Sequence, residues 1–126
     1  MITKEEVFVI HNYIVTLSGH PREVRDIGRL EAAIARPFQT FDERDLYINV
    51  FEKAAAISES LIMNHPFVKG NKRTAFKVMS IILEKGNFKL NISDDESFKI
   101  RTKIAQGNMP FDEIIIWLKN NTTSIL

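Results

Sequence analysis

A chain of 126 residues, 44% of them hydrophobic, can build one core but is too short for two ordinary domains, so a single domain over 1–126 is expected. Seventeen Lys and Arg against sixteen Asp and Glu, a net charge of +1, exclude the global positive field that drives non-specific nucleic-acid binding, so any anion site must be local. The absence of cysteine excludes disulfides, thiolate metal sites and a cysteine nucleophile, and fits a reducing compartment.

In chain order, Thr3 followed by Glu6 is a capping-box pattern, after which Val7, Ile10, Ile14 and Leu17 recur at helical spacing up to Ser18-Gly19. Asp26 suits the N-cap of a short helix carrying Leu30, Ala33 and Ile34, stopped by Pro37. Pro37 to Arg44 has no sustained period and is expected to be a loop or flap. From about Asp45 to Asn64 a long helix is expected, with Val50, Ala54, Ile57, Leu61 and Ile62 on one face. Helix resumes near Asn71, with Ala75, Val78, Met79, Ile82 and Leu83 facing inward until Gly86-Asn87. Phe88 to Ile92 alternates apolar and polar and suits a short extended piece. Ser93 and Glu96 suggest a second capping box before a helix with Phe98, Ile100 and Ile104, and the acidic run Asp94-Asp95-Glu96 suits its first turn. After Gly107, Pro110 begins a last helix to about Lys119 with Phe111, Ile114, Ile115 and Leu118 buried. Six helices around one core, with at most a token of strand, place the chain in the all-α class. The longest apolar runs are a few residues, and Met1 to Glu6 has neither a basic nor an apolar leader region. A soluble cytoplasmic protein without a membrane span is expected.

The richest chemistry lies in His65-Pro66-Phe67-Val68-Lys69-Gly70-Asn71-Lys72-Arg73, which sets a base, a turn, a glycine and cations immediately before an amphipathic helix. A helix N-terminus leaves N–H groups unpaired and carries the positive end of the macrodipole, so it attracts an oxyanion. His65 is the residue type that accepts a hydroxyl proton at neutral pH. Phe67 is expected to face the core and anchor the loop. Gly70 allows a left-handed turn or a close backbone approach, and Asn71 can cap the helix or bond a phosphate oxygen. Lys72 and Arg73 can offset charge developing on a transferred phosphate.

The same nine residues resemble the signature of the Fic/Doc superfamily. Their Asn-Lys-Arg ending resembles its Doc branch, the death-on-curing toxins of toxin–antitoxin pairs, rather than the Fic branch, which has Gly between the Asn and the Arg. Asp26 to Pro37 also resembles the Doc-type N-terminal segment, so the resemblance covers nearly the whole chain. It implies a compact six-helix bundle with the motif loop between two long central helices. It further implies ATP as co-substrate, with the γ-phosphoryl group passed to a threonine of a translation elongation factor, or AMP passed instead as in Fic enzymes. A Phd-like antitoxin, whose disordered tail folds as a helix into a surface groove, is the implied partner. Neither a membrane nor a nucleic acid is expected to bind directly.

Lys69 departs from the pattern. In most members the corresponding residue is an acid that holds magnesium, and a lysine repels that cation. Three outcomes are open: Lys69 replaces the metal's charge, another residue holds magnesium, or the chain is catalytically weak. In the last case it would be a nucleotide- or phosphate-binding module in which Lys69, Lys72 and Arg73 form an anion pocket. His11 is read as a surface or core-edge histidine, His20 as a loop residue without a role, and Trp117 as packing. Asp26, Glu31 and Arg36 are either structural or shape the substrate groove.

Overall fold

The structure, a computed structural model, describes residues 1–126. Helix α1 (Lys4–Ser18) opens on the expected capping box: Glu6 N–H donates to Thr3 Oγ1 and Thr3 N–H to the Glu6 carboxylate, each at 3.1 Å. Its inward face differs from the expected one. Val7, His11 and Val15 are buried, Ile10 and Ile14 are half-buried, and Leu17 is 71% exposed. The face is turned because His11 finds both a stacking partner and a hydrogen-bond acceptor in the interior, which removes the usual penalty for burying an imidazole.

Helix α2 (Ile27–Ala35) is capped by Asp26, whose Oδ1 accepts from Arg29 N–H, and a single 3-10 turn over Arg36–Phe38, with Pro37 buried, ends it. The expected flap is a hairpin, β1 (Thr40–Phe41) paired antiparallel with β2 (Arg44–Asp45). Asp42 and Glu43, both at positive φ, make its two-residue turn. This pairing takes up Asp45, so helix α3 (Val50–Asn64) begins five residues later than expected. Its cap is Asn49, whose Oδ1 accepts from Glu52 N–H at 2.9 Å while its amide donates to the Glu52 carboxylate at 2.8 Å.

Ala54 to Ser58 are all fully buried. Five successive residues span more than a turn, so α3 is enclosed on every side. It packs on α2, α4 (Asn71–Lys85), α5 (Asp94–Ala105) and α6 (Phe111–Asn120), while α1 packs on α4. Gly86, just past α4, lies against Val50 at the start of α3, so the two central helices run antiparallel. A Cβ at position 86 would sit 2.7 Å from Val50 Cγ2, which explains the glycine.

After α4, β3 (Phe88–Leu90) pairs antiparallel with β4 (Thr122–Ser124), a strand absent from the sequence expectation, and Asn91 N–H extends the pairing to Asn121 O at 2.8 Å. The second capping box is only half made. Ser93 Oγ accepts from Glu96 N–H, but the Glu96 carboxylate accepts from Trp117 Nε1–H at 3.3 Å instead of turning back to its own helix end. Trp117, as expected, packs, with its ring 6.1 Å from that of Phe76. Phe98 is the exception on α5, at 61% exposed, while Ile100 and Ile104 are buried. No helix is long and apolar enough to cross a membrane. The result is an all-α bundle of six helices with two minor strand pairs and the motif loop between α3 and α4.

Candidate active site

The loop from His65 to Gly70 is held from below, from behind and from within. Where α3 ends, His65 takes a left-handed conformation (φ +47°), unfavourable for a residue with a Cβ. Two arginines compensate by satisfying the helix-end carbonyls: Arg25 Nε–H donates to His65 O at 3.0 Å and Arg29 Nη1–H to Asn64 O at 3.2 Å. Behind the loop, Glu23 to Asp26 runs antiparallel to it. Arg25 and Asp26 N–H donate to Pro66 O (2.7 and 3.1 Å), Val68 N–H donates to Glu23 O (3.0 Å), and Val24 bridges Phe67.

Phe67 anchors the loop, as expected. It is 1% exposed, lies parallel to the His11 ring at 3.6 Å and meets Phe8 edge-on at 6.3 Å. Asn71 does not cap α4, one of the two roles expected of it. Its Oδ1 accepts from Phe67 N–H (2.9 Å) and its Nδ2–H donates to Phe67 O (2.8 Å), so the amide closes the loop on itself and the α4 N-cap is Gly70.

His11 supports the loop from below. Its Nε2–H donates to Lys69 O at 2.8 Å, and because a carbonyl can only accept, the proton is on Nε2. Gly70 sits on the same support at φ +83°. A Cβ there would be 2.9 Å from Val15 Cγ1 and 3.6 Å from the His11 ring, so both conformation and space demand glycine.

Burial holds the His11 imidazole below its ordinary value of 6.5, the bond to Lys69 opposing this more weakly. The unfolded chain therefore binds a proton in a range where the folded chain does not. Stability is full above the ordinary histidine value and falls as pH drops below it toward the lower folded value. Urea unfolding at about pH 7.5 and about pH 5.5 is expected to show a loss of at most about 1.4 kcal/mol per pH unit. His11→Phe is expected to flatten that slope, and an unchanged slope would place the titration elsewhere.

Beside the loop, at the N-terminus of α4, is a cavity of about 290 Å³ lined by Ile14, Val15, Ser18, His20, Lys69 to Arg73, Phe98 and Arg101. The first backbone bond of α4 is Thr74 N–H to Gly70 O, so the N–H groups of Asn71, Lys72 and Arg73 have no backbone acceptor. Arg73 Nη1–H donates to Ser18 Oγ and Arg101 Nη1–H to Ser97 Oγ, each at 3.0 Å. Burial, then the nearby charge of Arg73, push the Arg101 guanidinium below its ordinary value, with Asp94 opposing them. No carboxylate lines the cavity. The arrangement suits a polyanion.

Residues 1–83 match the family model described as the Fic/DOC family. The Toxin Doc of Mycolicibacterium smegmatis is 36% identical over 98 residues, which cover 76% of this chain and 75% of that protein. The chain belongs to the Fic/DOC family.

Of the site residues expected in this Fic/DOC chain, Lys69, Gly70, Asn71, Lys72 and Arg73 converge on one cavity. His65 does not line it; it is exposed, at the other end of the loop, linked through Asn71, whose Nδ2 is 3.5 Å from His65 Nδ1. At that outer limit the contact leaves the imidazole tautomer uncommitted. His20, expected to have no role, lines the cavity, as do Ser18 and Arg101, which sequence reasoning missed. Arg101 lies beyond the residues matched to the Fic/DOC family. His11 had a readable signal, since Val7, His11 and Val15 are four apart. Arg101 had none, because only packing brings α5 beside α4.

Asp26, Glu31 and Arg36 stand outside the cavity. Asp26 caps α2 and pairs with Arg29 at 3.5 Å, and Glu31 is exposed. Arg36 is held by Tyr47 OH (3.0 Å), the Glu59 carboxylate (2.8 Å) and Ser60 Oγ (2.9 Å), which tie the base of the hairpin to α3. No cluster of three His, Asp or Glu exists that could hold a metal, and at the cavity the place expected for a metal-binding acid is Lys69. The residues present do not fit a protein-held magnesium ion.

Proposed function

We propose that this Fic/DOC protein is the toxin of a toxin–antitoxin pair, and that it transfers the γ-phosphoryl group of ATP to a protein hydroxyl, with a translation elongation factor as the acceptor. The observation that carries this reading is the placement of an exposed histidine at one end of a rigid loop whose other end opens a cationic cavity at a helix N-terminus. His65 accepts the proton of the attacking hydroxyl, the new O–P bond forms as the bond to the ADP leaving group breaks, and Lys72 and Arg73 offset the charge spread over the phosphoryl oxygens. AMP transfer uses the same groups with the nucleotide reversed. For the antitoxin, Val9, Tyr13 and Leu17 offer an exposed apolar stripe on α1, each about 70% accessible, suited to an amphipathic helix of a Phd-like partner.

Incubation of the purified chain with cell extract and either γ- or α-labelled ATP, with and without magnesium, tests the reaction. Label from the γ position identifies phosphoryl transfer, and label from the α position identifies AMP transfer. If neither labels any protein, the enzymatic reading fails. The second reading, a phosphate-binding module without transfer, then stands, favoured by the lysine in the place of the acid.

A further inference from the structure

The cavity's charge is arranged as though the divalent ion were already supplied by the protein. Lys69, Lys72, Arg73 and Arg101 converge there and none has a carboxylate partner, whereas the half-buried Arg36 and Lys53 elsewhere pair with Glu59 and Asp45. The hydroxyls of Ser18 and Ser97, and the Phe98 ring 5.5 Å from the Arg101 guanidinium, steady the two guanidinium groups without offsetting their charge. Asp94, whose charge acts on Arg101, lines the neighbouring groove and forms no ion pair with it. Two arginines brought together without an acid between them repel each other, and an anion bridging them removes that repulsion.

We propose that this cavity binds a nucleoside polyphosphate as the free anion, with the Lys69 ammonium and the Arg101 guanidinium standing in for the divalent cation. The inference rests on the phosphate-handling reading above and deepens it. Lys69 is well placed for this. Its carbonyl is tied to His11 at 2.8 Å and the next residue, Gly70, is seated against Val15, so its side chain leaves a fixed point on the cavity rim. A magnesium ion entering here meets cations and no carboxylate ligand, and by neutralising the polyphosphate it weakens the attraction that these four groups provide.

The test is calorimetric titration of ATP into the purified chain, first in EDTA and then in excess magnesium. Binding is expected in EDTA and is expected to weaken by roughly tenfold or more when magnesium is added. Binding that requires magnesium overturns the proposal. Lys69→Asp is expected to reverse the order, binding ATP poorly in EDTA and better with magnesium. Arg101→Gln is expected to lower the affinity in EDTA by roughly tenfold, with Lys103→Gln as a control of equal charge change on the same helix. If Arg101→Gln and Lys69→Gln, each shown by its melting curve to be folded, both bind ATP as the parent chain does, the assignment is wrong. ATP bound in EDTA without transfer of label to any protein leaves this inference standing while overturning the enzymatic reading. No binding in either condition overturns both.

Discussion

His65→Ala is expected to lower transfer of label from ATP by roughly a hundred- to ten-thousand-fold, the range for loss of a general base, while the chain stays folded. The side chain is exposed and its only polar contact is the long one to Asn71, whereas the backbone carbonyl, which alanine keeps, carries the bond from Arg25. The conformation at φ +47° is less favourable for alanine than for histidine. His65→Asn is therefore the better-matched variant, because asparagine tolerates the left-handed region and has no titratable nitrogen. Both variants are to be compared with the parent by initial rate and by melting temperature. Transfer within tenfold of the parent in both would assign the proton to another group.

Phe67→Ala is expected to destabilise the chain by about 3–5 kcal/mol, the range for removing a fully buried phenyl ring. The ring is 1% exposed and stacked on His11, and the N–H and C=O of the same residue are both closed by the Asn71 amide. Its loss removes the ring on which His11, the support of Lys69 and Gly70, is stacked, so the cationic site is expected to fail along with stability. Urea unfolding measures the first effect, as a midpoint lowered by about 1 M or more, and ATP titration in EDTA measures the second. Phe67→Leu, which keeps most of the volume, is expected to lose less than about 1.5 kcal/mol. A loss below about 1 kcal/mol for Phe67→Ala would show that the backbone pairing with Glu23 to Asp26 holds the loop without the ring.

Features whose cause is local were readable in the sequence. The Thr3 and Glu6 box and the Asp26 cap each depend on residues within a few positions, and each stands where it was expected; the Gly86 stop also stands where it was expected, although the need for glycine there comes from Val50 of α3. Helix α3 starts later than its periodicity implies because the hairpin pairing of Arg44-Asp45 with Thr40-Phe41 takes up Asp45. The Asn49 and Glu52 cap pair was nonetheless available to be read. Strand β4 could not be foreseen, since Thr122 to Ser124 become a strand only because β3 lies alongside. At the site, the glycine, the cations and the Phe67 anchor of the motif were readable, but the other supports were readable only in part. The spacing of Val7, His11 and Val15 shows that His11 faces inward but not that it meets Phe67 and Lys69, and Asn71 reads as a helix cap until the loop folds back far enough for its amide to meet Phe67.

The ties of the loop to the rest of the molecule reach far along the chain: Arg25 to His65 spans 40 positions, and His11 to Lys69 spans 58. Such contacts form only after the entropy of closing those long segments has been overcome, so they come late, when α1, α2 and α3 are already assembled. A chain caught partway through folding holds helices without a cavity. The cavity and the native state are thus expected to arise in one cooperative step, so that the site exists only in the fully folded chain.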